Sequence, residues 1–169
     1  KILKGERNFS RIVLEKPLYL NRIEGFKDLQ RYLEMQDLKS NPLNISHSIF
    51  EGLRLRGLPL PFVIGIGADF LEANLRGADF HKANLDGARF YYAHLSNADF
   101  GGANLPNSNF GHADLYRANF YKANLEHADF SSAHLWESNL GESNITQTTF
   151  AGACRHKANF GRAYTKKSA

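Results

Sequence analysis

The sequence predicts an all-β solenoid, a coil of very short strands with four sides to each turn. From Phe70 to Phe150 every fifth residue is large and apolar. That period fits neither a helix, which repeats about every 3.6 residues, nor a strand, which repeats about every two. The large residues also alternate between Phe and Leu as far as Leu135. Like residues therefore stack on like only with an even number of sides, and four sides leave room inside for a Phe ring.

The residues around each apolar position sharpen the repeat. The position two before is small, with thirteen Ala, three Ser and one Thr, and we expect these residues to point inward at the corners, where larger ones would overpack. The position one before is usually Asp or Asn. These A-(D/N)-(L/F)-x-x units resemble the pentapeptide repeat family, whose members wind into a right-handed four-sided β-helix. The resemblance covers residues 68–152, half of the chain.

Four segments are predicted along the chain. Residues 1–20 form an N-terminal entry coil, since Phe9, Leu14 and Tyr19 are five apart. Residues 21–42 hold an inserted or capping α-helix, expected to cover an end or flank of the coil because open β-edges invite aggregation. Residues 43–165 form the pentapeptide-repeat β-helix, with 43–65 as a degenerate first coil. Residues 166–169 are a basic tail.

The end of the repeat departs from the pattern at Arg155, which stands where a Leu is expected. Burying a lone guanidinium is very costly, so we expect the last coil to be open or locally shifted there. End-to-end pairing would cover such an edge, whereas the Lys166–Lys167 tail would repel its own copy. The expected state is a monomer or a weak end-to-end dimer.

Composition sets the expected compartment. No apolar run is long enough to span a membrane, and the single cysteine, Cys154, excludes an internal disulfide. We therefore expect a cytoplasmic protein that does not associate with membranes. Because the sequence starts at Lys1 and not at Met, it leaves open whether an export signal lies upstream.

Charge is divided unevenly along the chain. Residues 68–152 hold ten Asp and Glu against five Lys and Arg, a net charge of −5, whereas residues 1–67 carry +4 and residues 153–169 carry +5. The acidic middle suggests an alternative function, because some members of the resembled family inhibit DNA gyrase by imitating DNA. A length of about 20 Å of duplex carries roughly twelve charges, more than twice the net charge here. DNA mimicry and direct nucleic-acid binding are not favoured.

One side of the predicted coil carries possible metal ligands. Residues twenty apart stack into columns, and one column contains His94, Asp114, His134 and Cys154. These are ligand types for zinc or another transition metal. Alternatively, the His residues replace Asn at a polar position and hydrogen-bond to Asp114. A straight column is poorly arranged for a tetrahedral site, so no metal and no cofactor is predicted.

The same side is the predicted partner-binding surface, because exposed aromatic and Arg residues are typical of interfaces. The alternative is that the aromatic residues only stack to stabilise the sheet. No catalytic constellation is evident, so an enzyme is not expected. The leading hypothesis is a non-enzymatic protein-interaction scaffold with an unknown partner, and gyrase modulation and a metal site are the alternatives. The candidate partner-binding residues are His94, Asp114, Tyr116, Arg117, His134, Trp136 and Glu137.

Overall fold

The computed structural model describes residues 34–35 and 37–166. In this part the chain is a β-solenoid whose coils are joined by parallel single-residue bridges. Every bridge links residues twenty apart, from Asn44↔Ile64 to Asn144↔Tyr164, and the bridging residues follow one another every five positions. A coil therefore has four sides of five residues. Among the described residues no longer strand forms, so each side is a single bridging residue between two turns.

The turns explain why the chain bends after every five residues. At each corner a backbone N–H donates to the carbonyl three residues earlier, as from Ala73 to Phe70 at 3.0 Å. The third residue of every turn has a positive φ, between 54° and 68°, which is the type II conformation. Most of these residues are not glycine; Tyr92 and Glu137 are examples. Because all corners share one geometry, the coil stays in register.

The apolar residues fill the interior in four stacks. Phe110 lies 4.8 Å from both Phe90 and Phe130, ring centre to ring centre, in nearly parallel planes. It also meets Phe100 edge-on, at 5.5 Å, from the opposite side. Side 1 contains Phe50, Phe70, Phe90, Phe110, Phe130 and Phe150; side 2 Leu55, Leu75, Leu95, Leu115, Leu135 and Arg155; side 3 Leu60, Phe80, Phe100, Phe120, Leu140 and Phe160; and side 4 Ile45, Gly65, Leu85, Leu105, Leu125 and Ile145.

The small residues lie at the corners as predicted. Ala73, Ala93, Ala113 and Ala118 are fully buried. Ser108 and Ser138 are buried at equivalent positions, and each hydroxyl donates to a carbonyl three residues back, at 2.7 Å. The inward-pointing small residue is therefore confirmed, and serine is accepted there because its proton has a backbone acceptor.

The first coil departs from the repeat at Gly65, where side 4 of the later coils has Leu. A Cβ on Gly65 would approach Cδ2 of Leu85 to 2.9 Å, so the neighbouring coil occupies the space that a side chain would need. Leu38, in a turn before the first bridge, is buried with this core. Glu34 is helical. The predicted entry coil, residues 1–20, and most of the predicted helix lie outside the described residues.

At the other end, Arg155 is exposed, as the sequence predicts, and its guanidinium lies 5.9 Å from the Phe150 ring centre. Ile145, Phe150 and Phe160 are only partly buried. The handedness of the coil and the weak end-to-end dimer stay predictions.

Candidate interaction surface

The candidate residues lie on side 2 and on the turn that follows it. In each coil the residue before the Leu forms the bridge, and the residue after it begins the turn. The bridges Asn74↔His94↔Asp114↔His134↔Cys154 therefore stack these side chains in one column. We call His94, Asp114, Tyr116, Arg117, His134, Trp136 and Glu137 together the Trp136 surface.

Asp114 holds the centre of the Trp136 surface. Its Oδ2 accepts hydrogen bonds from Ser96 Oγ at 2.7 Å and from Arg76 Nη2 at 3.4 Å. Its Oδ1 accepts the backbone N–H of Tyr116, which opens the turn. Partial burial opposes ionisation, but the bonds from Ser96, Tyr116 and Arg76 outweigh it and hold the pKa of Asp114 below its usual value. Asp114 is thus a carboxylate that fixes its neighbours.

Arg117 and Glu137 form an ion pair between adjacent coils, with Nε 2.7 Å from Oε2. The same guanidinium lies 4.9 Å from the ring centre of Tyr116. The hydrogen bond with Glu137 is the main cause that raises the pKa of Arg117, and it also lowers the pKa of Glu137. Both groups are charged at neutral pH, and Glu137 holds the guanidinium of Arg117 that lies over the Tyr116 ring.

Trp136 lies in the column of Tyr116, one coil further on, with 46% of its surface exposed. Its ring meets His156 edge-on at 5.2 Å. Within the described residues, the rings of Trp136 and Tyr116 do not contact each other, so they do not form one apolar patch. The two aromatic side chains are therefore separate contact points on one line.

A groove adjoins Tyr116 on the side away from Trp136, with a volume of about 450 Å³. Sequence reasoning missed it, although extending the Tyr116 column by one coil would have added Arg56 to Arg76. The guanidiniums of Arg56 and Arg76 make one end basic, while Tyr116 makes the other end aromatic. The groove is lined by Arg56, Arg76, Gly77, Ser96, Asn97 and Tyr116.

The family model described as Pentapeptide repeats matches this chain in eight copies, over residues 66–90, 93–131 and 128–164. These residues make up more than half of the chain. It belongs to the pentapeptide repeat family. The repeat that builds the coil is thus the repeat that defines the family. No curated protein matches in the sequence comparison.

Solved pentapeptide repeat proteins resemble this chain in structure. Full-length QnrB1, described as a plasmid-mediated fluoroquinolone resistance protein, is 20% identical with a TM-score of 0.52, covering 89% of this chain and 79% of that one. A trypsin-treated variant of QnrB1 is 21% identical with a TM-score of 0.44, over 70% and 65% of the respective chains, so just under two thirds of it is matched. Rfr23 of the cyanobacterium Cyanothece 51142 is 22% identical with a TM-score of 0.38, over 66% and 90%. At 20% identity the likeness to full-length QnrB1 shows the fold alone.

The His94, Asp114, His134 and Cys154 column of this pentapeptide repeat protein does not bring metal ligands together. Within residues 37–166, the one group with three ligand atoms less than 4.8 Å apart is Asp79, His81 and Asp99, on side 3. His94, His134 and Cys154 are exposed, and Asp114 bonds to Ser96 and Arg76, not to an imidazole. The alternative in which the His residues hydrogen-bond to Asp114 is therefore also wrong.

The side chains of the Trp136 surface can make ionic, hydrogen-bond and aromatic contacts. It offers one guanidinium, two carboxylates, two aromatic rings and two exposed imidazoles on a rigid backbone. Beside this surface the hydroxyl of Ser96 is buried and donates its proton to Asp114. In the residues that the structure describes, we find no helix with the length and apolarity that a membrane crossing requires.

Proposed function

We propose that this pentapeptide repeat protein is a non-enzymatic scaffold that binds a protein partner through the Trp136 surface and the adjoining groove. The observation that carries the proposal is the line of turn residues from Arg56 to Trp136. It places two guanidiniums and two aromatic rings at the spacing of successive coils, with a groove beside them. Aromatic and Arg side chains supply most of the binding energy in typical interfaces.

The groove favours a partner segment of particular chemistry. A carboxylate of the partner would pair with Arg56 and Arg76, which are exposed at the basic end of the groove. An apolar side chain two or three residues away along an extended segment would reach Tyr116. We therefore propose an extended acidic segment with a nearby apolar residue as the partner's binding element. Because Arg76 is also bonded to Asp114, its position is fixed before the partner arrives, which lowers the entropic cost of binding.

Replacing Trp136 tests this proposal. Trp136→Ala should leave the melting temperature nearly unchanged, because the ring lies outside the core, and should weaken partner binding by about 2 kcal/mol. The measurement is affinity pull-down from the source cell with the wild-type chain as bait, followed by titration of the captured partner. Tyr92→Ala on side 1 is the matched control, since Tyr92 is 48% exposed against 46% for Trp136.

The proposal is supported if Trp136→Ala loses the partner and Tyr92→Ala keeps it. A large loss of stability in Trp136→Ala with binding intact would show that Trp136 packs the coil and would remove this surface as the site.

Modulation of DNA gyrase by DNA mimicry is less well supported. Of the ten carboxylates in residues 68–152, five are ion-paired with Arg or Lys, which cancels much of the negative potential that a mimic needs. A gyrase supercoiling assay with the purified chain separates the two hypotheses. Inhibition that is abolished by neutralising the acids outside those pairs, and not by Trp136→Ala, would favour mimicry over the scaffold.

A further inference from the structure

Asp79, His81 and Asp99 converge on side 3, away from the column in which metal ligands were expected. One ligand atom from each lies within 4.8 Å of the others. His81 Nδ1 lies 2.8 Å from Asp79 Oδ1. Donors around a tetrahedral zinc ion lie about 3.3 Å apart, from bond lengths near 2.0–2.1 Å. Small side-chain rotations would therefore bring these three atoms to coordination distance.

The column that holds the two carboxylates is a hydrogen-bonded ladder that stops between them. Asn159 Nδ2 donates to Asn139 at 3.1 Å, Asn139 to Asn119 at 3.2 Å, and Asn119 to Asp99 Oδ1 at 2.8 Å. Asp99 and Asp79 are bridged in the backbone in the same way. Asp79 has no side-chain N–H to donate to Asp99, unlike the Asn residues of the column, so the next bond of the ladder is missing. A cation between them would supply the missing positive partner.

No Lys or Arg side chain in the described part of the chain forms an ion pair with these two carboxylates. The stacked acid on side 1, Asp69, is ion-paired with Arg89 at 3.0 Å. Lys82 is close in sequence, but its Nζ lies over the Phe62 ring, 5.7 Å from the ring centre. Within that part, Asp79 and Asp99 are thus neighbouring carboxylates without a Lys or Arg partner. The imidazole of His81 is the basic group beside them.

His81 is held in position to act as a ligand. Its backbone N–H donates to Asp79 Oδ1 at 2.9 Å, which fixes the turn. Its ring meets Phe62 edge-on, with ring centres 5.0 Å apart. Because both contacts come from the rigid coil, the imidazole needs little reorganisation to bind an ion.

We propose that Asp79, His81 and Asp99 form a binding site for a divalent transition-metal ion, most favourably Zn²⁺. Two carboxylates and one imidazole are three of the four ligands that zinc takes in open sites, and water would complete the set. The ion would replace the proton between His81 Nδ1 and Asp79, and it would join two coils across the break in the ladder. The imidazole favours zinc or another transition metal over Mg²⁺ and Ca²⁺, which prefer oxygen ligands.

The test is a Zn²⁺ titration of the full chain by calorimetry, after treatment with chelator, in a Cys154→Ser background that removes the single exposed thiol. Co²⁺ absorption in the visible range gives a second readout of nitrogen and oxygen coordination. The ligand variants are His81→Gln and Asp99→Asn. Asp99→Asn should fold normally because Asn119, Asn139 and Asn159 occupy the same column and make the same turn bonds.

Two control variants match these changes elsewhere on the coil. His134→Gln removes an exposed imidazole from the column in which metal ligands were expected. Asp129→Asn makes the same charge change as Asp99→Asn at the same repeat position, where Asp129 also bonds to the turn N–H.

We expect one Zn²⁺ per chain, with the dissociation constant raised at least about tenfold in both ligand variants, since even outer-shell partners cost 10–100-fold. Both controls should bind like the background protein. Equal weakening in Asp129→Asn would reduce the effect to general charge and overturn the site. Loss of Zn²⁺ binding in His134→Gln alone would place the ion on side 2 and overturn the proposal. Absence of binding at millimolar Zn²⁺ would also overturn it.

Discussion

The middle coils and the last coil have the same backbone conformation but differ in how completely their apolar side chains are buried. In the middle, Phe110, Leu115 and Ala118 are completely buried. In the last coil, Phe150 and Phe160 are only partly buried and Arg155 is exposed. The turns are nevertheless the same. Turn hydrogen bonds are 3.0 Å from Ala113 to Phe110 and 3.0 Å from Ala158 to Arg155.

This comparison separates two sources of order in the molecule. The backbone of each coil is held by the hydrogen bonds of the coil beside it, so a coil forms its turns even where its core residue is Arg. The apolar stacks supply the stabilisation, and they are incomplete at an end because one neighbour is missing. We therefore expect equivalent substitutions to have unequal effects in the two regions.

The largest effect is expected for removal of a ring from the middle. Phe110→Ala should lower the free energy of unfolding by about 3–5 kcal/mol, because the ring packs against Phe90, Phe130 and Phe100 and would leave a cavity. Phe160→Ala, in the last coil, should cost less than about half of that. Denaturant titration of both variants checks the difference. Equal losses would show that the last coil is as well packed as the middle.

Adding volume at a corner should have a smaller effect. Ala118→Leu is expected to destabilise the protein by about 1–3 kcal/mol, because Ala118 is fully buried and a larger side chain has no space there. Ala158→Leu is the control at the same repeat position in the last coil, where the corner is partly open. A neutral result for Ala118→Leu in thermal melts would contradict the inward-pointing corner.

The smallest effect is expected from restoring the repeat at the end. Arg155→Leu should stabilise the protein by about 1 kcal/mol, because a Leu at this position would bury apolar surface against Leu135 in the coil beside it. The variant should also associate more strongly, since it makes the open end more apolar. Sedimentation and denaturant titration measure the two effects. A loss of stability would instead show that the contact between Arg155 and Phe150 contributes more than the apolar stack.

The sequence by itself determined the coil and its columns. A five-residue period in which Phe and Leu alternate indicates a four-sided coil, and closure of that coil fixes which residues lie one coil apart. The same register places Asn84, Asn104, Asn124 and Asn144 in one column, where their side chains are joined by hydrogen bonds of 2.8–3.0 Å. The buried small residues and the exposed Arg155 and Trp136 follow from the same register.

Only the tertiary structure decided which neighbour each side chain contacts. Arg76 reaches past the adjacent coil to Asp114, 38 residues away, and Trp136 packs on His156 and not on Tyr116. The side chain of His81, from the turn that follows Asp79, lies beside Asp79 and Asp99, so this group combines residues from two different columns. The physical reason is that the backbone hydrogen bonds allow each bridging residue only one position. A long side chain has several rotamers, however, and the acceptors of neighbouring coils compete for it.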